Sequence, residues 1–183
     1  VTVALTRAAL PGNISADTRM SVHDRHQLTL FDAAPRSRRR PVQAARPMIR
    51  PALRFCVVGS GSGGNSSVLR RGEDAELIDA GFGPLSTAKR LRGSRIQTRD
   101  LRALCLTHLD QDHFRPTWVN TLHASRTRLF VHHWHEPELR RVPGVESLLA
   151  AGLVSFFDGE PFEPLPGVCF TPIRLPHDTK GTV

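Results

Sequence analysis

From Leu53 onward, apolar and polar residues alternate in short runs broken by Gly, Pro and Asp, and each run predicts an element. Strands are expected at Leu53–Val58, Val68–Arg70, Glu76–Ala80, Leu101–Thr107, Arg128–His132, Leu153–Phe157 and Val168–Leu175. Helical spacing marks Leu85–Leu91, with Leu85, Ala88 and Leu91 on one face. Further short helices are expected at Pro116–Ala124, Glu136–Arg141 and Val145–Ala151, the first opening on its proline. A small-residue loop, Gly59–Ser67, separates the first two strands, and Arg71-Gly72-Glu73-Asp74 turns the second into the third. Strands interleaved with helices imply an α/β class.

Residues 1–50 show no such pattern. Ala33–Pro51 carries Arg38-Arg39-Arg40 and four prolines among few large apolar residues, too little to offset the entropy of ordering. This stretch reads as a disordered Arg/Pro-rich leader ahead of one domain at 51–183.

Charge divides at the same place. The net charge is +8, but residues 1–54 hold ten Arg against three Asp, and the remainder is close to neutral. A basic leader could hold a polyanion through phosphate contacts. Arg outnumbers Lys along the whole chain, however, so compositional bias explains the leader without a partner. No apolar stretch reaches bilayer length, and Val1–Leu10 lacks the uninterrupted apolar core of a signal peptide. Cys56, Cys105 and Cys169 are odd in number, widely spaced and set in apolar segments; buried reduced thiols in a cytoplasmic protein are expected.

The chemistry concentrates in Thr107-His108-Leu109-Asp110-Gln111-Asp112-His113, directly after the apolar run Ala103–Leu106. That run is too short for a helix, so the heptad sits where a buried strand gives way to a loop. His and Asp are ligands of zinc, manganese and iron. Alternate residues leaving a strand point to one side, so His108 and Asp110 can reach one ion while Asp112 and His113 turn toward a second. Two adjacent cations would polarise a phosphoryl or carbonyl oxygen and lower the pKa of a water between them.

The heptad resembles the metal motif of the metallo-β-lactamase superfamily, His-x-His-x-Asp-His, with Asp110 in place of the second His. Leu77-Ile78-Asp79-Ala80-Gly81 upstream and Pro176-His177-Asp178 downstream extend the resemblance over residues 51–183. It implies an αββα sandwich, two facing sheets with helices outside and a site at the strand ends. It implies a first metal site of His108, Asp110 and His177, and a second begun by Asp112 and His113. Asp112 would also orient the attacking water, and Asp79 would accept an imidazole N–H from behind the ligands. The implied cofactor is one or two divalent metal ions, zinc first, with manganese or iron as alternatives. Asp110 adds negative charge and hard oxygen character. Either it tilts the site away from zinc toward manganese, magnesium or iron, or it weakens the first position.

Gly59, Gly61 and Gly64 imitate a dinucleotide-binding fingerprint, but a strand-and-turn pattern follows them where that fingerprint needs a helix. The loop more plausibly borders the metal site, with Ser60, Ser62 and Asn65 as substrate-binding candidates and backbone N–H groups able to meet an anion. His132-His133-Trp134-His135 reads as a surface loop with a partly buried Trp and is not taken as a ligand set; Trp118 and His123 read as ordinary helix-face residues.

The Ser-Gly hairpin and the Pro-His-Asp ending look most like the small bacterial branch with exonuclease-like and phosphodiesterase members. The expected function is therefore metal-dependent hydrolysis of a phosphodiester, with a nucleic acid as one substrate class and no membrane partner. In the family a bridging carboxylate and a final His come later, whereas this sequence ends at Val183, so the domain is expected to be truncated at its C-terminus. The competing expectation is a truncated, non-catalytic module that binds nucleic acid or a partner through its basic tail.

Overall fold

A computed structural model describes residues 52–176. The leader, and with it the expected disorder of residues 1–50, lies outside the described residues, as do His177 and Asp178.

Eight strands and four helices follow one another as β1 (Leu53–Gly59), β2 (Ser66–Arg71), β3 (Asp74–Ile78), α1 (Pro84–Arg90), β4 (Leu101–Cys105), α2 (Trp118–Ser125), β5 (Arg128–His132), α3 (Glu136–Leu139), α4 (Val145–Ala150), β6 (Val154–Phe157), β7 (Phe162–Leu165) and β8 (Val168–Phe170). The first six strands make one mixed sheet in sequence order, and β7 and β8 form a separate antiparallel hairpin. β1, β2 and β3 run antiparallel, whereas β3, β4, β5 and β6 run parallel. The change of sense follows from connection length. Two residues join β2 to β3 through Gly72, whose φ of 63° suits a tight turn, while each parallel connection is long enough to cross over and carries helix.

Alternation on the strands builds a core on each face of the sheet. On one face Val68, Leu77, Leu104, Leu129 and Val131 pack against Leu91, Trp118, Leu122, Leu139 and Leu148 from the helical segments. On the other, Leu69, Ile78, Ala103, Cys105 and Phe130 lie under Leu165, Val168 and Phe170 of the hairpin. The result is helices, a six-stranded sheet and a second, two-stranded sheet. Among the described residues no helix packs outside the hairpin.

β1 sits at the sheet edge. Phe55 stands opposite Leu69 and therefore faces the hairpin side, but the hairpin does not reach it, and Phe55 and Val57 are each 58% exposed. The same edge position corrects one expectation: Cys56 is exposed, because among the described residues the cover of β1 begins only at Val58, whereas Cys105 is buried. The helical face predicted for α1 is likewise not its buried one. Leu85 is 81% exposed, and Thr87 and Leu91 turn inward instead. Two spacings of three residues suggest a stripe, but a helix of two turns is oriented by where its ends must go. Here the Thr87 hydroxyl donates back to the Phe82 carbonyl. β7 has no counterpart among the predicted strands, and β8 ends at Phe170 rather than Leu175.

One polar group is sealed into the hairpin-side core. Glu76, fully buried on β3, accepts a hydrogen bond from the Cys105 thiol at 2.7 Å through Oε1, while Oε2 has no hydrogen-bond partner. Burial pushes its carboxyl from 4.5 up to about 8, against the smaller opposing effect of the thiol hydrogen bond. The folded protein therefore holds this proton more tightly than the unfolded chain. Its stabilising contribution is complete below pH 4.5 and is lost as pH rises through about 8. Urea titrations across this range should show wild type losing roughly 3–5 kcal/mol relative to Glu76→Gln, which cannot ionise. Parallel curves for the two proteins from pH 5 to 9 would refute the buried neutral carboxyl.

Candidate metal centre

Parallel strands bring their carboxyl ends to one edge of a sheet, and the heptad lies there. β4 ends at Cys105, and residues 106–115 leave the sheet and turn. Beside them β3 ends at Ile78, and Asp79 follows in the left-handed region with φ 58°, a conformation that Asp tolerates better than most residues. That backbone reversal swings the carboxylate across to the end of β4.

Asp79 then organises the ligand loop. Its Oδ1 accepts the Thr107 backbone N–H at 2.9 Å, and the Thr107 hydroxyl lies 2.9 Å from Oδ2. Oδ2 also accepts His113 Nδ1–H at 2.8 Å. A hydroxyl that gives its only proton to Asp79 must accept from its other neighbour, so His108 Nδ1 donates to Thr107 Oγ1 at 2.9 Å. The network therefore assigns both imidazoles the same tautomer, with Nδ1–H tied back and Nε2 carrying the lone pair. Histidines that bind metals are held this way by partners behind them.

The Nε2 atoms face carboxylates. His108 Nε2 lies 3.5 Å from Asp110 Oδ2, and His113 Nε2 lies 3.6 Å from Asp112 Oδ2. Two donors each about 2.0–2.2 Å from one cation sit roughly 3–3.5 Å apart, so both spacings suit a shared ion, which at the second pair would take the place of the Asn65 amide nitrogen. The imidazole centroids are 3.9 Å apart, which makes the two pairs adjacent. Donor types, tautomers and spacings all fit divalent metal. His177 lies outside the described residues, so its expected place in the first set stays an expectation.

The glycine loop does border this site. Asn65 Oδ1 accepts the Gly61 N–H, which turns its amide nitrogen toward the heptad, 2.9 Å from Asp112 Oδ2 and 3.1 Å from His113 Nε2. Asn65 thus meets the second donor pair itself. The N–H groups of Gly61, Gly64 and Asn65 are engaged within the fold, with Asn65 Oδ1, the Gly61 carbonyl and the Asp112 carbonyl, so these three are not offered to an anion. Gly64 is followed by strand β2, not by the helix a dinucleotide fingerprint needs. Ser60 and Asn65, with Phe55, Val57, Asp79 and His113, line a cleft of about 440 Å³. Ser62 is exposed on the same loop, outside that lining.

Two residues with no ligand chemistry make the site possible. Thr107 links both histidines to Asp79. Gly81 threads between loops: its N–H donates to the Asn65 carbonyl, and the neighbouring Ala80 N–H donates to His113 O at 2.6 Å. A Cβ on Gly81 would stand 1.8 Å from the Asp112 carbonyl oxygen. The sequence signal for Gly81 was its place after the strand in Leu-Ile-Asp-Ala-Gly; Thr107 gave none beyond adjacency.

Burial opposes protonation of His113, but the hydrogen bond and charge of Asp79, with the charges of Asp112 and Asp110, outweigh it and hold the imidazole above its ordinary 6.5. The segment His132–His135 is not a simple surface loop. His133–His135 form a 3-10 turn, Trp134 is half-buried, and His132 and His135 are buried. Burial first, then the neighbouring His133, pushes His132 down to about 4. Trp118 is buried and donates its indole N–H to the Phe82 carbonyl at 2.7 Å, and His123 is exposed on α2.

The family model described as "Metallo-beta-lactamase superfamily" matches residues 59–168. No curated protein matches the chain. Solved structures do. A subclass B3 metallo-beta-lactamase from a soil metagenome library, MEM-A1, superposes with TM-score 0.53 at 17% identity, over 73% of this chain and 53% of that one. The metallo-beta-lactamase fold protein YhfI from Bacillus subtilis gives 0.51 at 13% identity, over 72% and 56%. A diphosphatase of the PhnP family gives 0.51 at 17% identity, over 72% and 61%. At these identities the likeness is one of fold, and the chain spans between 53% and 61% of the lengths of these three structures.

Two outcomes follow. Gly81→Ala should cost about 2 kcal/mol or more in urea unfolding, because the new methyl meets backbone rather than a movable side chain; a cost below half a kcal/mol would mean that the close threading is wrong. In a nuclear magnetic resonance titration of the metal-free protein, His113 should titrate above 6.5. Asp79→Asn, which keeps the shape but loses an acceptor, should lower that midpoint. The raised value stabilises the folded state fully below pH 6.5 and this fades as pH rises through that raised value, so this advantage of the wild type over the variant should show on the acid side.

Proposed function

As this chain belongs to the metallo-beta-lactamase superfamily, we propose that it is a metal-dependent hydrolase acting on a phosphodiester bond. The observation that carries the reading is the matched pair of histidine tautomers: Thr107 and Asp79 hold both Nδ1–H groups, and each Nε2 meets a carboxylate. His108 with Asp110, and Asp112 with His113, would hold divalent metal, with zinc, manganese or iron as the candidates and His177 completing the first set. Bound there, the metal would polarise the scissile group and acidify a water.

The protein's own contribution is placement and proton handling. Asp112, half-buried beside Asn65 and His113, orients the attacking water and takes its proton. Asp79 keeps His113 from rotating. Phe55 and Val57 give the cleft an apolar wall, and Ser60 and Asn65 give it a polar lip. Its volume of about 440 Å³ lies in the range of small-molecule sites. Two aspartates among four donors make the set rich in hard oxygen, which favours hard cations and phosphoryl oxygens over the softer, nitrogen-rich arrangement; this supports a phosphodiester over a β-lactam. Unpaired Cys56, Cys105 and Cys169 support a reducing compartment such as the cytoplasm. Among the described residues no helix is long and apolar enough to cross a membrane.

Elemental analysis of full-length protein purified without chelator should find at least one equivalent of transition metal. The loaded protein should hydrolyse bis(p-nitrophenyl) phosphate faster than a chromogenic β-lactam. Asp112→Ala should lower kcat/KM about 100-fold or more, as expected for loss of a positioned base, and His108→Ala should lower metal content as well. Metal-loaded protein that turns over neither substrate would favour the non-catalytic reading instead.

A further inference from the structure

The parallel edge that carries the heptad continues to β5 and β6. His132 is the last residue of β5 and pairs with Phe157, the last of β6. The next residue of each chain segment, His133 and Asp158, therefore emerges at the same corner. We propose that His132, His133 and Asp158 form a second metal site, separate from the heptad, that takes one borderline divalent cation such as zinc.

Geometry is the first argument. One donor atom from each of the three residues lies within 4.8 Å of the others. Nitrogen and oxygen donors around zinc stand roughly 3–3.5 Å apart, so the trio closes on an ion by movements under about 1.5 Å. The second argument is preorganisation. His132 is 2% exposed. Its ring is wedged against Trp134 at 3.8 Å between centroids and against the edge of Phe157 at 5.4 Å. The Trp134 backbone N–H donates to His132 Nδ1 at 3.3 Å, so this nitrogen carries the lone pair, and an ion would have to displace that long bond to use it. The third argument is chemical. His133 Nδ1 and Asp158 Oδ1 already face one another as close partners, so the two outer donors stand together where a cation would sit. Arg174, stacked over Trp134 at 4.6 Å, adds positive charge near the corner, where Asp158 is the one carboxylate of the trio.

Burial is graded across the trio. His132 is fixed in the core, whereas His133 and Asp158 are exposed. Three protein donors with an open outer side leave at least one coordination position to water or to a ligand from solution, as at zinc sites that are not purely structural. The cation would also bolt the end of β5 to the end of β6.

The site can be tested without any assay of turnover. Full-length protein is stripped with chelator, and zinc uptake is followed by isothermal titration calorimetry with circular dichroism as the check on folding. His108→Ala with Asp112→Ala removes the heptad's contribution and should leave about one equivalent bound. Adding His133→Ala and Asp158→Ala, both at exposed positions, should abolish that equivalent or weaken it at least tenfold. In the wild-type background the same two changes should lower stoichiometry by one. Uptake indifferent to His133 and Asp158 in both backgrounds, or none in the heptad-deficient protein while it remains folded, would overturn the proposal. Failure of the heptad variants to change uptake would count against the heptad alone, so the two sites are judged separately.

Discussion

The Asp79 carboxylate is the constraint on which the site depends. It is buried, it lies on the turn after β3, and its two oxygens accept from the backbone and hydroxyl of Thr107 and from the ring of His113. Each of these donors belongs to the segment leaving β4. The carboxylate thus replaces, at the strand ends, the ladder hydrogen bonds that stop when the strands stop. Because it fixes one histidine directly and the other through Thr107, the direction of both lone pairs is settled before any ligand arrives. Leaving such a group unpaired would cost the full desolvation of a buried charge, so the arrangement is held as a unit.

Around that carboxylate the backbone is braided. Residues 79–81 pass between the Asn65 segment and the heptad, with the N–H of Asn65 on Asp112 O, of Ala80 on His113 O, of Gly81 on Asn65 O, and of Arg115 on Ala80 O. A side chain at position 81 would occupy the place of the Asp112 carbonyl. The ligand loop is therefore positioned by main chain on both sides, and its irregular path carries few unmet polar groups. Directional strands supply the rest, because four parallel neighbours deliver Asp79, the heptad, His132–His133 and Asp158 to a single edge.

Much of this could be read from the sequence, and the reasons are local. The heptad followed an unambiguous apolar run, and the run's length decided strand over helix. Gly72 marked the hairpin turn. Illegible features were those fixed by distant residues. Leu85 and Ala88 had helical spacing but face solvent, since the chain ends of a two-turn helix decide its roll. Cys56 lay in an apolar strand, yet its burial depended on whether anything covers an edge. Glu76 opens a predicted strand with nothing in its neighbours to mark it as buried, and only the hairpin laid over that face makes it a buried acid. His132–His135 read as a surface loop in the sequence, and the residue that meets His133, Asp158, comes only after β6.

The braid also has a consequence for how the molecule comes into being. Asp79 meets Thr107 across 28 positions, and Asn65 meets Asp112 across 47. Neither contact can form until β3 has paired in parallel with β4, a non-local event that must bear the entropy of closing a long loop before any reward. The early hairpin of β2 and β3 can assemble quickly from neighbours, but the histidines acquire their orientation only at the end of the slow step. Ligand-ready imidazoles thus await a non-local pairing, and their arrival reports that β3 and β4 have come together.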